Sequence, residues 1–386
     1  MAAHRDLPAE RAAEIAAAAL TRATGEPATL AAIQPLGEAD RRNLVLRAHA
    51  SVGARSRSVI VKASRASGHD PAAPDAFAVS GLVREWVARA LLCEAPGGEG
   101  ALLAGDAEHG LIVFEDLGRA PGSLVGPLLE GTAAVAEAAL ASHAVALGRL
   151  HATTLGCAGR HAAILRDLFP AAEAPRAMGA RWLAAPVEVA GLSLPADELD
   201  QVRGRIADPG PWAVLVHGDA CPDNVLLIDG EAWLLDFEFS MPGHALLDAG
   251  YWRMGFPSCW CAGTVPGQVA DRIEATYRGV LAPALPEAVD DRLFVAEAAL
   301  VAVARLLMSL DWLMPAALAE DGRWGIASRR SRILHHLGAA IAACERADAF
   351  PGSRAVMARW HRHVQDLWPG SMPLAPYPAF ARTGGA

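Results

Sequence analysis

The segment that most restricts what this chain can fold into runs from Val214 to Glu238. The apolar run Val214-Leu215-Val216 leads His217-Gly218-Asp219 into a short Gly/Pro loop, which Asn224 closes. Val225 to Ile228 then read as a strand, and Asp229-Gly230 is a two-residue hairpin signal. A second strand returns through Trp233-Leu234-Leu235 and stops on Asp236-Phe237-Glu238. The chain must therefore build a hairpin whose entry loop carries Asp219 and Asn224 and whose exit carries Asp236.

Phosphoryl transfer from a nucleotide calls for this set, because the protein's share of that chemistry is positioning and charge neutralisation rather than covalent bonding. One carboxylate faces the acceptor hydroxyl, while an amide oxygen and a second carboxylate hold magnesium, a hard cation that takes few protein ligands. Asp219 fits the base, and Asn224 and Asp236 fit the metal ligands. Taken singly these residues are ordinary: Asp223 and Asp229 read as turn formers, and an Asp at a strand end commonly caps or meets solvent. Their order and spacing carry the chemistry. His217 reads as a brace for the loop rather than a proton carrier.

The pattern His-Gly-Asp, four residues, Asn, an apolar strand and Asp-Phe-Glu resembles the aminoglycoside phosphotransferase and choline kinase superfamily of small-molecule kinases. The resemblance implies an α+β, two-lobed protein-kinase-like fold, with a small antiparallel-sheet N-lobe and a larger, mainly helical C-lobe. It also implies Mg2+, with ATP or GTP as co-substrate, and a small-molecule acceptor bearing a hydroxyl. Gly243-His244-Ala245-Leu246-Leu247-Asp248 resembles the stretch that follows the metal carboxylate in this superfamily, so Asp248 is expected to support the catalytic loop. Glu238 reads as a contact to a second metal or as a solvated or capping carboxylate. The resemblance spans roughly Leu30 to Arg253 and is specific around His217 to Asp248. The loop departs from the family's commoner choice, which often puts His and Gly where Cys221 and Asp223 stand.

At 386 residues the chain exceeds the size at which one core keeps growing, so two lobes are expected. They divide near Gly118, into residues 1–117 and 118–386, with an irregular Pro/Gly-rich tail from about residue 369. A net charge of -9 without a basic stretch argues against nucleic acid as a partner. Arg329, Arg330 and Arg332 form the densest basic cluster and read as a solvated helix face. The six cysteines are scattered rather than set out as a disulfide framework, which fits a reducing compartment. Cys259-Trp260-Cys261 has no second pair of soft ligands nearby, which disfavours zinc. The N-terminus lacks the apolar core of a signal peptide, and Leu293 to Leu318 is broken by Glu297, Arg305 and Asp311, so it reads as a buried helix rather than a membrane span. A cytoplasmic protein with no membrane partner is the expectation.

Along the first lobe the patterning predicts a helix over Ala9 to Thr24, strands over Ala28 to Leu36, Asn43 to Ala50, Ser58 to Lys62 and Leu111 to Phe114, and a helix over Phe77 to Cys93. One long helix is expected over Leu128 to Leu155. Lys62 ends an apolar strand, resembling the superfamily's strand lysine, and Glu85 lies beside the apolar face of the next helix, where it needs a cation. Lys62 and Glu85 are the expected ion pair that aims the lysine at phosphates; Glu94 is the rival partner. The turn Gly37 to Asn43 has one glycine, so Arg41, Arg42 or Asn43 takes over phosphate contacts. Glu115, Asp116 and Leu117 resemble the linker that reads a purine through backbone groups. Among the second-lobe carboxylates Glu297, Asp311, Glu320 and Asp321, nothing in the sequence singles out a substrate contact.

A catalytically silent kinase-like regulator that binds nucleotide or metabolite is the alternative, and a base at Asp219 argues against it. A protein kinase is disfavoured by the lack of an Ala-Pro-Glu element after Asp236.

Overall fold

Alternation along β-strands decides which side chains of the first unit face a core and which are left for chemistry. The computed structural model describes residues 7–37, 43–65, 77–94, 101–118, 122–170, 183 and 192–381. The chain forms two compact units. The first comprises Met1–Ala120 together with Ala158–Pro175 and Asp236–Ser240, so the chain returns to it twice after the division expected near Gly118.

In this unit helix α1 (Ala9–Thr24) precedes strands β1 (Ala28–Leu36), β2 (Asn43–Val52) and β3 (Arg55–Ser64); helix α2 (Phe77–Cys93), β4 (Leu102–Asp106) and β5 (Leu111–Glu115) follow. The strands make one antiparallel sheet in the order β1-β2-β3-β5-β4. Leu44, Leu46, Ala48 and Ala50 of β2, Val59, Val61 and Ala63 of β3, and Leu111 and Val113 of β5 share one face. That face packs against Ala12, Ile15, Ala16, Ala19 and Leu20 of α1. Each large aliphatic side chain buried there contributes about 1.5–3 kcal/mol relative to exposure. The period of two leaves Ile60, Lys62, Ile112 and Phe114 on the opposite face, where α2 lies: Lys62 meets Glu85 and Arg89 sits over the Phe114 ring. β4, absent from the sequence reading, forms the edge, and its Gly105 lies so close to Trp86 that an added Cβ would fall 2.0 Å from the indole. The helix Ala158–Leu168 joins this unit, with Phe169 edge-on to Trp86 at 5.3 Å and Arg160 paired with Glu94.

The second unit is mainly helical. The expected helix over Leu128 to Leu155 is two helices, Val125–Leu129 and Ala133–Thr153. The break comes at Gly131, whose added Cβ would meet Pro127 O at 2.6 Å, and the second helix starts at Thr132, whose Oγ1 accepts from Val135 N. Strands β6 (Ala213–Val216) and β9 (Met241–His244) pair, and β7 (Val225–Ile228) and β8 (Glu231–Leu234) form the hairpin. Its turn has φ of 51° at Asp229 and 84° at Gly230, the paired left-handed residues that a two-residue turn needs. The helix expected over Leu293 to Leu318 runs over Asp291–Ala319, capped by Asp290. It and Ala133–Thr153 are long and apolar enough to cross a membrane, with 67% and 50% of their apolar windows buried inside the molecule. The tail docks: Thr264 N donates to Ala375 O, Tyr377 N donates to Thr264 O, and Tyr377 is fully buried.

One reading is corrected here. Arg332 is not on a solvated face: it is fully buried in the helix Arg329–Ala347, donating to the carbonyls of Cys259 and Trp324 at 2.8 Å and stacking over the Trp324 ring.

Candidate active site

In the first unit, the Lys62 ammonium donates to Glu85 Oε2 at 2.5 Å and to Asp236 Oδ1 at 2.6 Å. Glu94, the rival partner, is engaged by Arg160 instead. A second cation, Arg89, one turn along α2, donates to Glu85 Oε1 through Nε and Nη2 at 2.9 and 2.8 Å. Glu85 is 1% exposed, so these two cations are what make its burial tolerable. Burial alone would push the Glu85 carboxyl up; Lys62 and then Arg89 outweigh it and hold the carboxyl down to about 2. Burial would likewise lower the Lys62 ammonium, and the charges of Glu85, Asp236 and Glu238 overcome it and raise it. Lys62 is thus a fixed, permanently charged cation.

Asp236 stands in the left-handed region, φ 60° and ψ 66°, a conformation that Asp tolerates better than most residues. That backbone turn accompanies the bond that Lys62 donates to Oδ1; among the described residues no hydrogen bond engages Oδ2. Glu238 is buried: its Oε2 accepts from Asn43 Nδ2 at 3.3 Å and its carbonyl accepts from Arg84 Nε at 2.6 Å. Arg41 and Arg42 lie outside the described residues.

In the second unit, Asn224 Nδ2 donates to both the carbonyl and the Oδ2 of Asp219, each at 3.0 Å. The amide group, oriented this way, turns its Oδ1 away from Asp219, as an oxygen ligand for a cation requires. His217 Nε2 lies 2.8 Å from Leu235 O, and Leu235 N donates to Asn224 O at 2.8 Å. These bonds tie the entry and exit of the hairpin together at the residue before Asp236. Asp248, fully buried, accepts from the backbone amides of His217 at 2.6 Å and Gly218 at 3.0 Å and lies 3.2 Å from His151 Nε2. Burial would push its carboxyl up, but the His151 contact and the neighbouring cations hold it below the usual range. The far side of the His151 ring meets the Tyr277 hydroxyl at 2.7 Å.

Asp219, Asn224, His217 and Asp248 thus come together in one unit and Lys62, Glu85 and Asp236 in the other. At the expected purine linker, Asp116 is occupied by its own sheet: Arg47 Nε donates to it at 2.8 Å and Ser58 at 2.6 Å, and these bonds overcome burial to keep its carboxyl low. The Glu115 amide donates to Ala101 O and the Asp116 amide to Ser58 O. The side chain of Glu115 is exposed and that of Leu117 half-buried. Glu297 is paired with Arg205 and with His244, and Asp321 accepts from the Arg330 amide.

The cysteine reading is also corrected. Cys221 and Cys259 form a disulfide, with Cα atoms 5.5 Å apart. Their separation of 38 residues hides the pair in the sequence, and the cysteine pattern no longer supports a reducing compartment. Cys221 Sγ lies 3.0 Å from Asp219 Oδ1, but a sulfur bonded to Cys259 has no proton to donate. Sequence reasoning also missed Arg89, visible only as a cation four residues beyond a buried Glu, and the residues Tyr251 and Ser258, which carry no local signal.

An antiparallel five-stranded sheet with a buried lysine–glutamate pair, followed by a helical unit whose loop presents an Asp–Asn pair, defines a phosphotransferase of the kinase-like fold. A family comparison agrees: the model of the phosphotransferase enzyme family APH matches residues 32–288, and the chain belongs to that family. It is a small-molecule kinase of that family. No curated protein matches the chain. Among solved structures it is similar to a choline/ethanolamine kinase family protein from Mesorhizobium loti, at 18% identity, TM-score 0.46, and coverage of 85% of this chain and 93% of that one. Choline kinase from Cryptosporidium parvum gives 11% identity, TM-score 0.48 and the same two coverages, 85% and 93%. Amicoumacin kinase, in complex with AMP-PNP, Ca2+ and Ami, gives 13% identity, TM-score 0.44, and coverage of 90% and 91%.

Proposed function

We propose that this protein transfers the γ-phosphate of ATP or GTP to a hydroxyl of a small molecule, with Asp219 as base. The observation that carries the reading is the pair of hydrogen bonds that Asn224 Nδ2 donates to the carbonyl and carboxylate of Asp219. A protein that only bound nucleotide would have no use for an oriented carboxylate at this place. Asp219 orients the acceptor hydroxyl and takes its proton as the oxygen attacks phosphorus. Lys62, held charged by Glu85, binds the phosphates of the nucleotide. Asn224 and Asp236 would hold magnesium, and their free amide and carboxylate oxygens suit that hard cation, which neutralises phosphate charge when bound. His217 and Asp248 keep the loop in shape. With the Glu115 and Asp116 amides engaged in the sheet, a purine edge at this linker would be read by the remaining backbone groups, including the Leu117 amide.

The test is nucleotide consumption by the purified protein with Mg2+, with and without a panel of aminoglycosides, choline, amino acids and sugars. Acceptor-stimulated turnover is expected, falling by about 10²–10⁴-fold in Asp219→Asn while nucleotide affinity stays nearly intact. Equal turnover in that variant sinks the base assignment; nucleotide binding without turnover toward any acceptor favours the silent regulator.

A further inference from the structure

The segment Pro257 to Trp260 lies along the catalytic loop and meets it residue by residue. Ser258 Oγ donates to Asp219 Oδ1 at 2.8 Å, Cys259 is bonded to Cys221, and Trp260 Nε1 donates to Asp223 Oδ2 at 2.8 Å. Three consecutive residues of one segment thus hold three alternate residues of the other. Behind Ser258 stands Tyr251, whose hydroxyl lies 2.8 Å from Ser258 Oγ and 3.1 Å from the carbonyl of Gly218. Tyr251 is fully buried, and burial pushes its phenol up to about 12, so it keeps its proton as a donor. Tyr251 has one proton for two acceptors, the Gly218 carbonyl and Ser258 Oγ; when it goes to Ser258, the serine's own proton goes to Asp219, and the two bonds strengthen one another.

The segment is held from its other side as well. The buried Arg332 donates to Cys259 O at 2.8 Å, and the Ile326 amide donates to Trp260 O at 3.0 Å. Gly325 lies so close to Trp260 that an added Cβ would fall 1.9 Å from its carbonyl oxygen. At the start of the turn Phe256, fully buried, has φ 55°, a left-handed value that a bulky residue adopts only where its surroundings compel it.

Building on the phosphotransfer reading above, we propose that Ser258 is the positioning residue of the base, supplied by Tyr251 and held in register by Cys259 and Trp260. Asn224 donates to Oδ2 of Asp219 and Ser258 to Oδ1, so the carboxylate plane is fixed by a donor on each oxygen. Ser258 touches no reacting atom in this scheme and acts through Asp219.

The experiment compares full-length wild type with Ser258→Ala, Ser258→Thr and Tyr251→Phe. It reads kcat and both KM values at one pH, and follows the ¹³C shift of the Asp219 carboxyl at pH 7.5, assigned with Asp219→Asn. Ser258→Ala is expected to lower kcat about tenfold, the rate equivalent of one hydrogen bond, with nucleotide KM unchanged. Ser258→Thr, which retains the hydroxyl, restores most of the rate, and Tyr251→Phe falls between. Unchanged or raised kcat in Ser258→Ala overturns the proposal, since it would mean that Ser258 merely occupies the acceptor's place. Equal loss in Ser258→Thr overturns it too, by assigning the effect to packing. If wild type has no turnover dependent on Asp219, the phosphotransfer reading fails, and the NMR arm still decides this one. A carboxyl shift of Asp219 that moves in Ser258→Ala and returns in Ser258→Thr supports the bond, and an unmoved shift overturns it.

Discussion

Replacing Glu85 by glutamine keeps the side chain's volume and removes the one negative charge that Lys62 and Arg89 share. The Glu85 carboxyl is held from 4.5 down to about 2, against the opposing pull of burial, chiefly by Lys62. At about 1.4 kcal/mol for each pH unit between those values, its charge contributes about 3 kcal/mol to folding. The cost of breaking a buried ion pair, about 3–5 kcal/mol, is of the same size. Two retained contacts favour the lower end: Lys62 keeps Asp236 at 2.6 Å, and Arg89 keeps the Phe114 ring 3.8 Å away. Because the folded value is depressed, this stability is present in full above the unfolded value of 4.5 and is lost as pH falls toward 2. Urea denaturation of wild type and Glu85→Gln, followed by fluorescence and circular dichroism from pH 7 to pH 3, measures the difference. Every other carboxylate titrates in both proteins and cancels. A difference of about 3 kcal/mol near neutrality that narrows below pH 4.5 is expected; the same difference at both ends, or less than about 1 kcal/mol at pH 7, refutes the reasoning.

Three further outcomes are expected. Thiol titration of the unfolded, unreduced protein gives four thiols, Cys93, Cys157, Cys261 and Cys344, and six after reduction; six in both removes the Cys221–Cys259 bond. Asp236→Asn and Asp236→Ala both lose Mg-nucleotide affinity, but the alanine variant is less stable by a further ~1 kcal/mol because Ala pays for φ 60° where Asn does not; equal thermal midpoints would contradict this. Asp248→Ala leaves the amides of His217 and Gly218 and the His151 ring without their carboxylate, so a loss of about 3–5 kcal/mol is expected by denaturation, and a near-neutral variant would contradict it.

What could be read in advance followed chain distance. Lys62 was legible because it ends an apolar strand, and Glu85 because Val83 and Trp86 set it beside the apolar face of its own helix. The hairpin was legible because Asp229-Gly230 is a local turn signal, whereas the break at Gly131 was missed although Thr132 is a local cap. Arg332 was misread because a basic run says nothing of the carbonyls of Cys259 and Trp260, brought by a distant segment, or of Trp324 just before its own helix. Ser258 stands 39 residues from Asp219, and no periodicity encodes a contact of that length.

The departures of the catalytic loop from the family's commoner residues fall where the segment carrying Ser258 meets it. Cys221 and Asp223, where the superfamily often has His and Gly, are the two positions that meet Cys259 and Trp260. In this chain a covalent bond from Cys259 and a hydrogen bond from Trp260 stand at those two positions. The residues proposed for the chemistry are therefore legible from the motif, and contacts that hold their loop fall where the motif departs from the family's commoner residues.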